Sequence, residues 1–175
     1  NNLELEVVII CILFFVLGLL SDLKILTSYK YRLFFQISFL LILFFINQDL
    51  EIYTNLELID NLMQHDLSRI LISTFFFMVL INGFNLIDGT NSLCTLNFLI
   101  ILVFAYLLIY KMNIDFINYE LKILIIPIAI FFIFNFFGLN FLGDGAAYGV
   151  GFLIGFILLK IALIDQSISP YFVAN

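Results

Sequence analysis

The chain has 175 residues, of which 64% are hydrophobic and 11% are charged. Its mean hydropathy of +1.19 excludes a water-soluble domain of this length, which has no interior large enough to hide so much apolar surface. The formal net charge of -6 also argues against a nucleic-acid-binding protein.

Six uncharged runs follow one another along the chain. Each approaches the roughly 20 apolar residues that one helical crossing of a bilayer needs. The runs are 7–21, 33–48, 70–87, 89–110, 123–143 and 145–159. Helix is the expected conformation, because lipid would leave the amides of an open sheet unpaired and the alternation of a barrel strand is absent. We therefore predict an all-α, polytopic transmembrane helical bundle of about six spans.

The whole chain, 1–175, is predicted to form a single transmembrane domain. It begins without a methionine, and residues 169–175 resemble the start of another helix. We therefore expect an internal fragment of a longer multispanning protein. Arg32 and Lys160 flank predicted spans, and their charged groups are expected to reach the lipid headgroups.

The polar connectors alternate between the two faces of the membrane, because every span reverses the side. Three connectors share one face: 21–32, 82–91 and 138–149. The opposite face receives 47–69, 111–122 and the segment around Asp165, and the first of these is expected to be an ordinary solvated acidic loop. The sequence therefore predicts that Asp22, Asp88 and Asp144 lie on the same face.

The orientation of that face follows from its basic residues. Lys24, Lys30 and Arg32 are concentrated in one short connector, whereas the basic residues of the opposite face are scattered at span ends. Short, densely basic connectors favour the cytoplasm. We expect the three aspartates to face the cytoplasm.

Asp88 and Asp144 are isolated carboxylates among glycine, asparagine and apolar residues. An acid near hydrocarbon costs about 2.5 to 3.5 kcal/mol, so such residues often mark a functional site. Clustered carboxylates are the usual ligands of Mg²⁺. The alternative is structural, because Asp88 or Asp144 would also serve as the N-cap of the helix that follows it.

Three segments carry a family resemblance: 18–24 (Gly-Leu-Leu-Ser-Asp-Leu-Lys), 82–91 (Asn-Gly-Phe-Asn-Leu-Ile-Asp-Gly-Thr-Asn) and 141–145 (Phe-Leu-Gly-Asp-Gly). In this order and at this spacing they resemble the signatures of the polyprenyl-phosphate N-acetylhexosamine-1-phosphate transferases. The resemblance implies a Mg²⁺-dependent enzyme, with Mn²⁺ as an alternative ion. Such an enzyme transfers a sugar-1-phosphate from a UDP-sugar to undecaprenyl or another polyprenyl phosphate, and UMP leaves.

The same resemblance implies roles for individual residues. Asp144 matches the metal-binding aspartate of the family. Asp88 matches a required acid of the middle signature, and Asp22 matches the second of two adjacent acids that are proposed to activate the lipid phosphate. All three are candidate catalytic residues.

Substrate contacts are implied at three further positions. Phe141 matches an aromatic residue that stacks on uracil. Asn85 matches a nucleotide-contacting amide, and Asn91 is a third candidate for substrate binding. The implied location is the bacterial inner membrane, in a multi-pass protein whose active site faces the cytoplasm. Association of two copies is left open, and the sugar is not identified.

The chain also departs from the family pattern. Ser21 replaces the first acid of the usual pair, and Asn91 replaces a second acid of the middle signature. Ser92 and Ala146 replace glycines, and Asn140 lies where a basic residue is common. These changes leave open a catalytically degenerate relative.

Two other classes remain to be compared. A cation-coupled transporter would also bury lone acids, with Pro127 and several glycines as helix breaks. Its acids are expected in mid-span, however, whereas these three lie at span ends. An intramembrane aspartyl protease would need Gly-x-Gly-Asp, and Phe141 stands at the place of its first glycine.

Overall fold

The computed structural model describes residues 2–47, 50, 56–89, 92–112 and 115–164. Within these ranges the chain consists of helices and their connectors, without strands. The helices are α1 (Asn2–Asp22), α2 (Tyr29–Ile46), α3 (Glu57–Met63), α4 (Asp66–Ile87), α5 (Leu93–Met112), α6 (Asp115–Phe136) and α7 (Gly143–Ile164).

Five of these helices, α1, α2, α4, α5 and α7, are long and apolar enough to cross a membrane. The sixth predicted span corresponds to α6, whose apolar part, Leu121–Phe136, is shorter. The structure therefore confirms an all-α polytopic bundle, and the chain is a multi-pass membrane protein.

Helix α7 is the centre of the bundle. It packs against α1, α4 and α5, and 72% of its span is buried, compared with 22 to 39% in the other four. Glycines on two of its faces allow this close packing, as small residues do in many membrane bundles. A Cβ atom at Gly149 would lie 3.4 Å from Phe15 of α1, and one at Gly155 would lie 2.9 Å from Leu80 of α4.

Two apolar clusters lie on either side of α7. The first joins α1, α2, α4 and α7, and the rings of Phe14 and Phe152 stack there with centroids 5.2 Å apart. The second joins α4, α5, α6 and α7, and Phe84 meets Phe98 edge to face at 4.6 Å. Together these clusters fix the ends of α1, α4 and α7 relative to one another.

The region 47–69 is not simply a solvated loop, because it contains α3. Asp60 and Glu57 lie in the first turn of α3, where carboxylates stabilise a helix. Met63 is buried in the first apolar cluster. A seven-residue helix is too short to be visible as an apolar run, which is why the loop prediction missed it.

Two predicted boundaries were also wrong. Glycines with positive φ, Gly138 at +69° and Gly143 at +74°, separate α6 from α7, so the predicted span 123–143 stops early and residues 143–149 are helical. The N–H of Gly138 bonds to the carbonyl of Asn135, and that of Leu139 to Phe134, which is a glycine-terminated helix end.

The middle signature is mostly helical as well. Residues 82–87 belong to the last turns of α4, and the predicted run 89–110 becomes helical only at Leu93. Asp88 lies at the C-cap of α4, in an αR conformation. The alternative that Asp88 is the N-cap of the following helix is therefore wrong.

Candidate active site

The candidate site lies where α1 and α4 end and α2 and α7 begin. The structure brings Asp22, Asp88 and Asp144 together there, at one end of the bundle, as the alternation of connectors predicted. Asn85, one turn before the end of α4, joins them.

Asp144 lies in the first turn of α7 and accepts hydrogen bonds at both carboxylate oxygens. Ser21 Oγ donates to Oδ2 at 2.6 Å, and Arg32 Nη1 forms an ion pair with the same atom at 2.5 Å. Asn85 Nδ2 donates to Oδ1 at 2.7 Å. Three helices, α1, α2 and α4, thus hold the carboxylate in one orientation.

Asp22 caps the start of α7 from the end of α1. Its carboxylate accepts the backbone N–H of Asp144 at 2.9 Å and that of Gly145 at 3.1 Å. Helix starts leave such N–H groups without intrahelical partners, and a carboxylate there also compensates the helix dipole. Asp22 therefore determines where the helix that carries Asp144 begins.

Two glycines make this contact sterically feasible. A Cβ atom at Gly18 of α1 would lie 2.4 Å from the carbonyl carbon and oxygen of Asp144. A Cβ atom at Gly143 would lie 2.8 Å from the Asp22 carboxylate, and its φ of +74° disfavours any side chain. The backbones of α1 and α7 thus touch beside the aspartates.

Asp88 is partly buried beside the other two acids. Burial raises the pKa of its carboxyl group above the usual value, and the negative charges of Asp144 and Asp22 raise it further. A hydrogen bond from the backbone of Gly143 acts in the opposite direction. The raised pKa of Asp88 thus reflects its burial first and the two neighbouring carboxylates second.

The three predicted substrate-binding residues do not all lie beside the aspartates. Asn85 is directly bonded to Asp144. Phe141 lies in the connector between α6 and α7, three residues before Asp144, with 76% of its surface exposed. Asn91 lies outside the described residues.

Arg32 was expected to extend towards the headgroups, but its guanidinium contacts other side chains of the protein. The guanidinium turns inward to Asp144 and Ser21, and Nη1 also approaches Tyr148 Oη at 3.4 Å. A basic residue at a span end is equally compatible with both placements, so the sequence carried no signal for this one. The geometry adds Arg32 to the site.

Asn135 is a further residue that the sequence did not single out. It is 97% buried on α6, and its Oδ1 accepts the Ser92 N–H at 2.9 Å and the Thr95 hydroxyl at 3.1 Å. Its Nδ2 donates to the Asn140 carbonyl at 2.6 Å. Asn135 thus ties the start of α5 to the connector that carries Phe141.

A buried polar pair lies deeper between α2 and α4. Asn82 Nδ2 donates to Gln36 Oε1 at 2.9 Å, and Gln36 is completely buried. In the part of the chain that the structure describes, the buried polar side chains are uncharged: Gln36, Ser73, Thr74, Thr95 and Asn135. None of the fully buried side chains among the described residues is therefore charged.

A metal site is not preformed around Asp144. Among the described residues, no three His, Cys, Asp or Glu side chains are arranged to hold an ion together. The oxygens of Asp144 and Asp22 face N–H, O–H and guanidinium donors instead. Any cation at this site must therefore compete with existing partners of these carboxylates.

Comparison with known proteins agrees with the three signatures. The phospho-N-acetylmuramoyl-pentapeptide-transferase of Dictyoglomus thermophilum is 34% identical over 157 residues, which cover 83% of this chain. The chain spans about half the length of that relative, since the match covers 48% of it. No solved structure matches the chain. The model of glycosyl transferase family 4 matches residues 5–162, and the chain belongs to this family.

Proposed function

We propose that this chain is part of an enzyme that transfers a sugar-1-phosphate from a UDP-sugar to undecaprenyl or another polyprenyl phosphate. The observation that carries the proposal is the convergence of Asp22, Asp88 and Asp144 at one end of a membrane bundle. A lipid acceptor restricts the reaction to the membrane surface, where these residues lie. Family membership and the relative's name support the same class of reaction.

Mg²⁺, or Mn²⁺ in its place, fits the donor chemistry of this site. The three carboxylates carry up to three negative charges against the one positive charge of Arg32, and a hard divalent cation would relieve the remainder. Asp144 is the proposed ligand, with Asp88 beside it. When bound, the cation would neutralise the phosphate charges of both substrates.

The surroundings of the other two acids support different roles for them. In the reaction an oxygen of the lipid phosphate attacks the sugar-bound phosphorus, and the bond from that phosphorus to UMP breaks. A proton on the acceptor must be taken up by a nearby base. Asp88, with its raised pKa, suits that role better than Asp22, whose oxygens already cap α7.

Asn85 and Phe141 are proposed to contact the nucleotide. The exposed ring of Phe141 is available for stacking on uracil, and Asn135 holds the connector on which it lies. Asn91 is proposed as a third contact. The proposed location is the bacterial inner membrane, with the site on the cytoplasmic side, because the soluble UDP-sugar arrives from the cytoplasm.

The test is Asp144→Asn, assayed by transfer of radiolabelled sugar phosphate to undecaprenyl phosphate across a panel of UDP-sugars. We expect transfer to fall by roughly a hundredfold or more, since metal stabilisation contributes several kcal/mol. Asp66→Asn is the matched control, because Asp66 lies at the other end of α4, paired with Arg69. Undiminished transfer by the Asp144 variant would refute the assignment.

A catalytically degenerate relative is the second candidate. Ser21 replaces an acid of the family signature and donates a hydrogen bond to Asp144. Failure of the parent protein to use any UDP-sugar, with the fold intact, would favour this candidate. The transporter is not supported by the described residues, because their buried polar side chains carry no charge.

A further inference from the structure

The guanidinium of Arg32 is paired with the carboxylate of Asp144, which is the proposed metal ligand. Its Nη1 lies 2.5 Å from Asp144 Oδ2 and 2.6 Å from Ser21 Oγ, and Ser21 donates to the same Oδ2. The side chains of Arg32 and Asp144 are only 22% and 26% exposed, so solvent screens this pair less than a surface ion pair. The guanidinium is therefore the resident cation of Asp144.

A second cation has little room at the same oxygen. A carboxylate has about four acceptor positions, and Arg32, Ser21 and Asn85 already fill three of those on Asp144. A divalent ion bound at Oδ2 would lie within a few ångströms of the guanidinium, where two positive charges repel strongly. Occupation of Oδ2 by Arg32 and by a metal is thus mutually exclusive.

We propose that a divalent cation binds Asp144 Oδ2 only by displacing the guanidinium of Arg32, so that Arg32 and Ser21 set the metal affinity of this oxygen. This inference rests on the proposed function, because it takes Asp144 as the metal ligand. Ser21 adds to the competition with the metal, because its hydroxyl donates a hydrogen bond to the same Oδ2. Arg32 is in this respect a positioning residue, acting through Asp144.

The test is a titration of the purified protein in nanodiscs with Mn²⁺. Electron paramagnetic resonance measures the Mn²⁺ that remains free, and so gives the binding affinity. Arg32→Gln removes the competing charge, and we expect roughly tenfold tighter binding, as for the loss of a charge-assisted hydrogen bond. Arg32→Lys retains the charge and should stay within about threefold of the parent. Circular dichroism and gel filtration establish that each variant is folded.

Lys30→Gln is the matched control for long-range electrostatics. Lys30 is exposed on the first turn of α2, two residues from Arg32, and water and salt screen its charge. Removal of this charge should change Mn²⁺ affinity by less than about twofold. Equal tightening in the Lys30 and Arg32 variants would overturn the displacement proposal, as would unchanged or weaker binding by folded Arg32→Gln.

Asp144→Asn separates this inference from the proposed function. Loss of Mn²⁺ binding in Asp144→Asn, with tighter binding in Arg32→Gln, supports both. Loss in the first variant without a change in the second refutes only the displacement. Undiminished binding by Asp144→Asn would place the ion elsewhere and refute the metal assignment itself.

Discussion

Asp22 and Asp88 differ in what surrounds their carboxylates. Asp22 accepts two backbone N–H groups at the start of α7. Asp88 is partly buried beside two like charges, which destabilises its charged form. Residues that look equivalent in the sequence therefore have different surroundings.

The raised pKa of Asp88 predicts a pH-dependent effect of Asp88→Asn. Ionisation of Asp88 costs more in the folded state than in the unfolded state, so the parent loses stability as pH rises above the ordinary value of 3.8 and through the raised pKa. At pH 7 the variant, which has no charge, should therefore unfold at a higher temperature than the parent. Below pH 3.8 this advantage should disappear, because the parent carboxyl is then protonated in both states.

Thermal unfolding in detergent at several pH values measures this difference. The comparison is made between the two proteins at each pH, so acid effects on other groups cancel. An advantage of the variant that is equal at pH 7 and in acid would contradict the electrostatic origin.

Local sequence identified the acids but not their partners. The three signatures marked Asp22, Asp88 and Asp144, and the alternation of spans predicted their shared face. The cap between Asp22 and Asp144 joins residues 122 positions apart, and no local pattern encodes such a pair. The inward turn of Arg32 depends in the same way on where α7 lies.

The contact between α1 and α7 is the main constraint at the scale of elements. Gly18 brings the α1 backbone against the first turn of α7, and the glycines of α7 bring its own backbone close to α1 and α4. This close packing explains why α7 is the most buried helix. The position of Asp144 thus depends on glycines, which act through backbone packing and not through side-chain contacts with Asp144.

Gly18→Ala should impair the site, whereas Gly83→Ala should not. A methyl group at Gly18 would lie 2.4 Å from backbone atoms of Asp144, so the start of α7 must move. A displacement of about 1 Å is sufficient to reduce a rate roughly a hundredfold, and overpacking costs about 1 to 3 kcal/mol. Gly83 is also helical, but an added Cβ meets nothing within 4 Å, so alanine there should be neutral or stabilising.

Transfer activity and thermal stability of the two alanine variants provide the measurement. The same loss in both would show that the α1–α7 contact is not its cause. Parent-like activity in Gly18→Ala would show that the crossing tolerates a shift.

The helices themselves were largely predictable, and their ends were not. Lipid requires long apolar runs, and six such runs were present. Five of them correspond to helices long enough to cross a membrane, and the sixth corresponds to the shorter apolar part of α6. Gly138 and Gly143 end α6 and begin α7 inside an uncharged run, where hydropathy gives no boundary. Helix α3 was missed because seven residues with mixed polarity leave no hydropathy signal.

The whole bundle has two chemically different ends. One end holds the three aspartates, Arg32 and the connector of Phe141, and the other holds α3 and the Asp66–Arg69 pair. Between them lie two apolar clusters and uncharged polar side chains. The described residues of the proposed site therefore share one end of the bundle.

Single-cysteine variants should show, in cells, that the two ends of the bundle face opposite sides of the membrane. Lys24→Cys and Leu139→Cys lie in exposed connectors at the aspartate end, and Gln64→Cys lies beside α3 at the opposite end. We expect a membrane-impermeant maleimide to label Gln64→Cys in spheroplasts and the other two only in inverted vesicles. The parent is the control, because Cys94 is buried and Cys11 lies within α1.

The reverse labelling pattern would invert the proposed orientation while keeping the aspartates together. Labelling of Lys24→Cys and Leu139→Cys from different sides would contradict the arrangement of the bundle itself.

The cap on α7 has a consequence for how phosphate groups are recognised. The first N–H groups of a helix are a common docking point for phosphates in proteins. In this protein Asp22 already uses the N–H groups of Asp144 and Gly145, and its negative charge would repel an approaching diphosphate. For the proposed function, the attraction of anionic substrates to this surface would then depend on cations, and a chelator should abolish nucleotide binding as well as turnover.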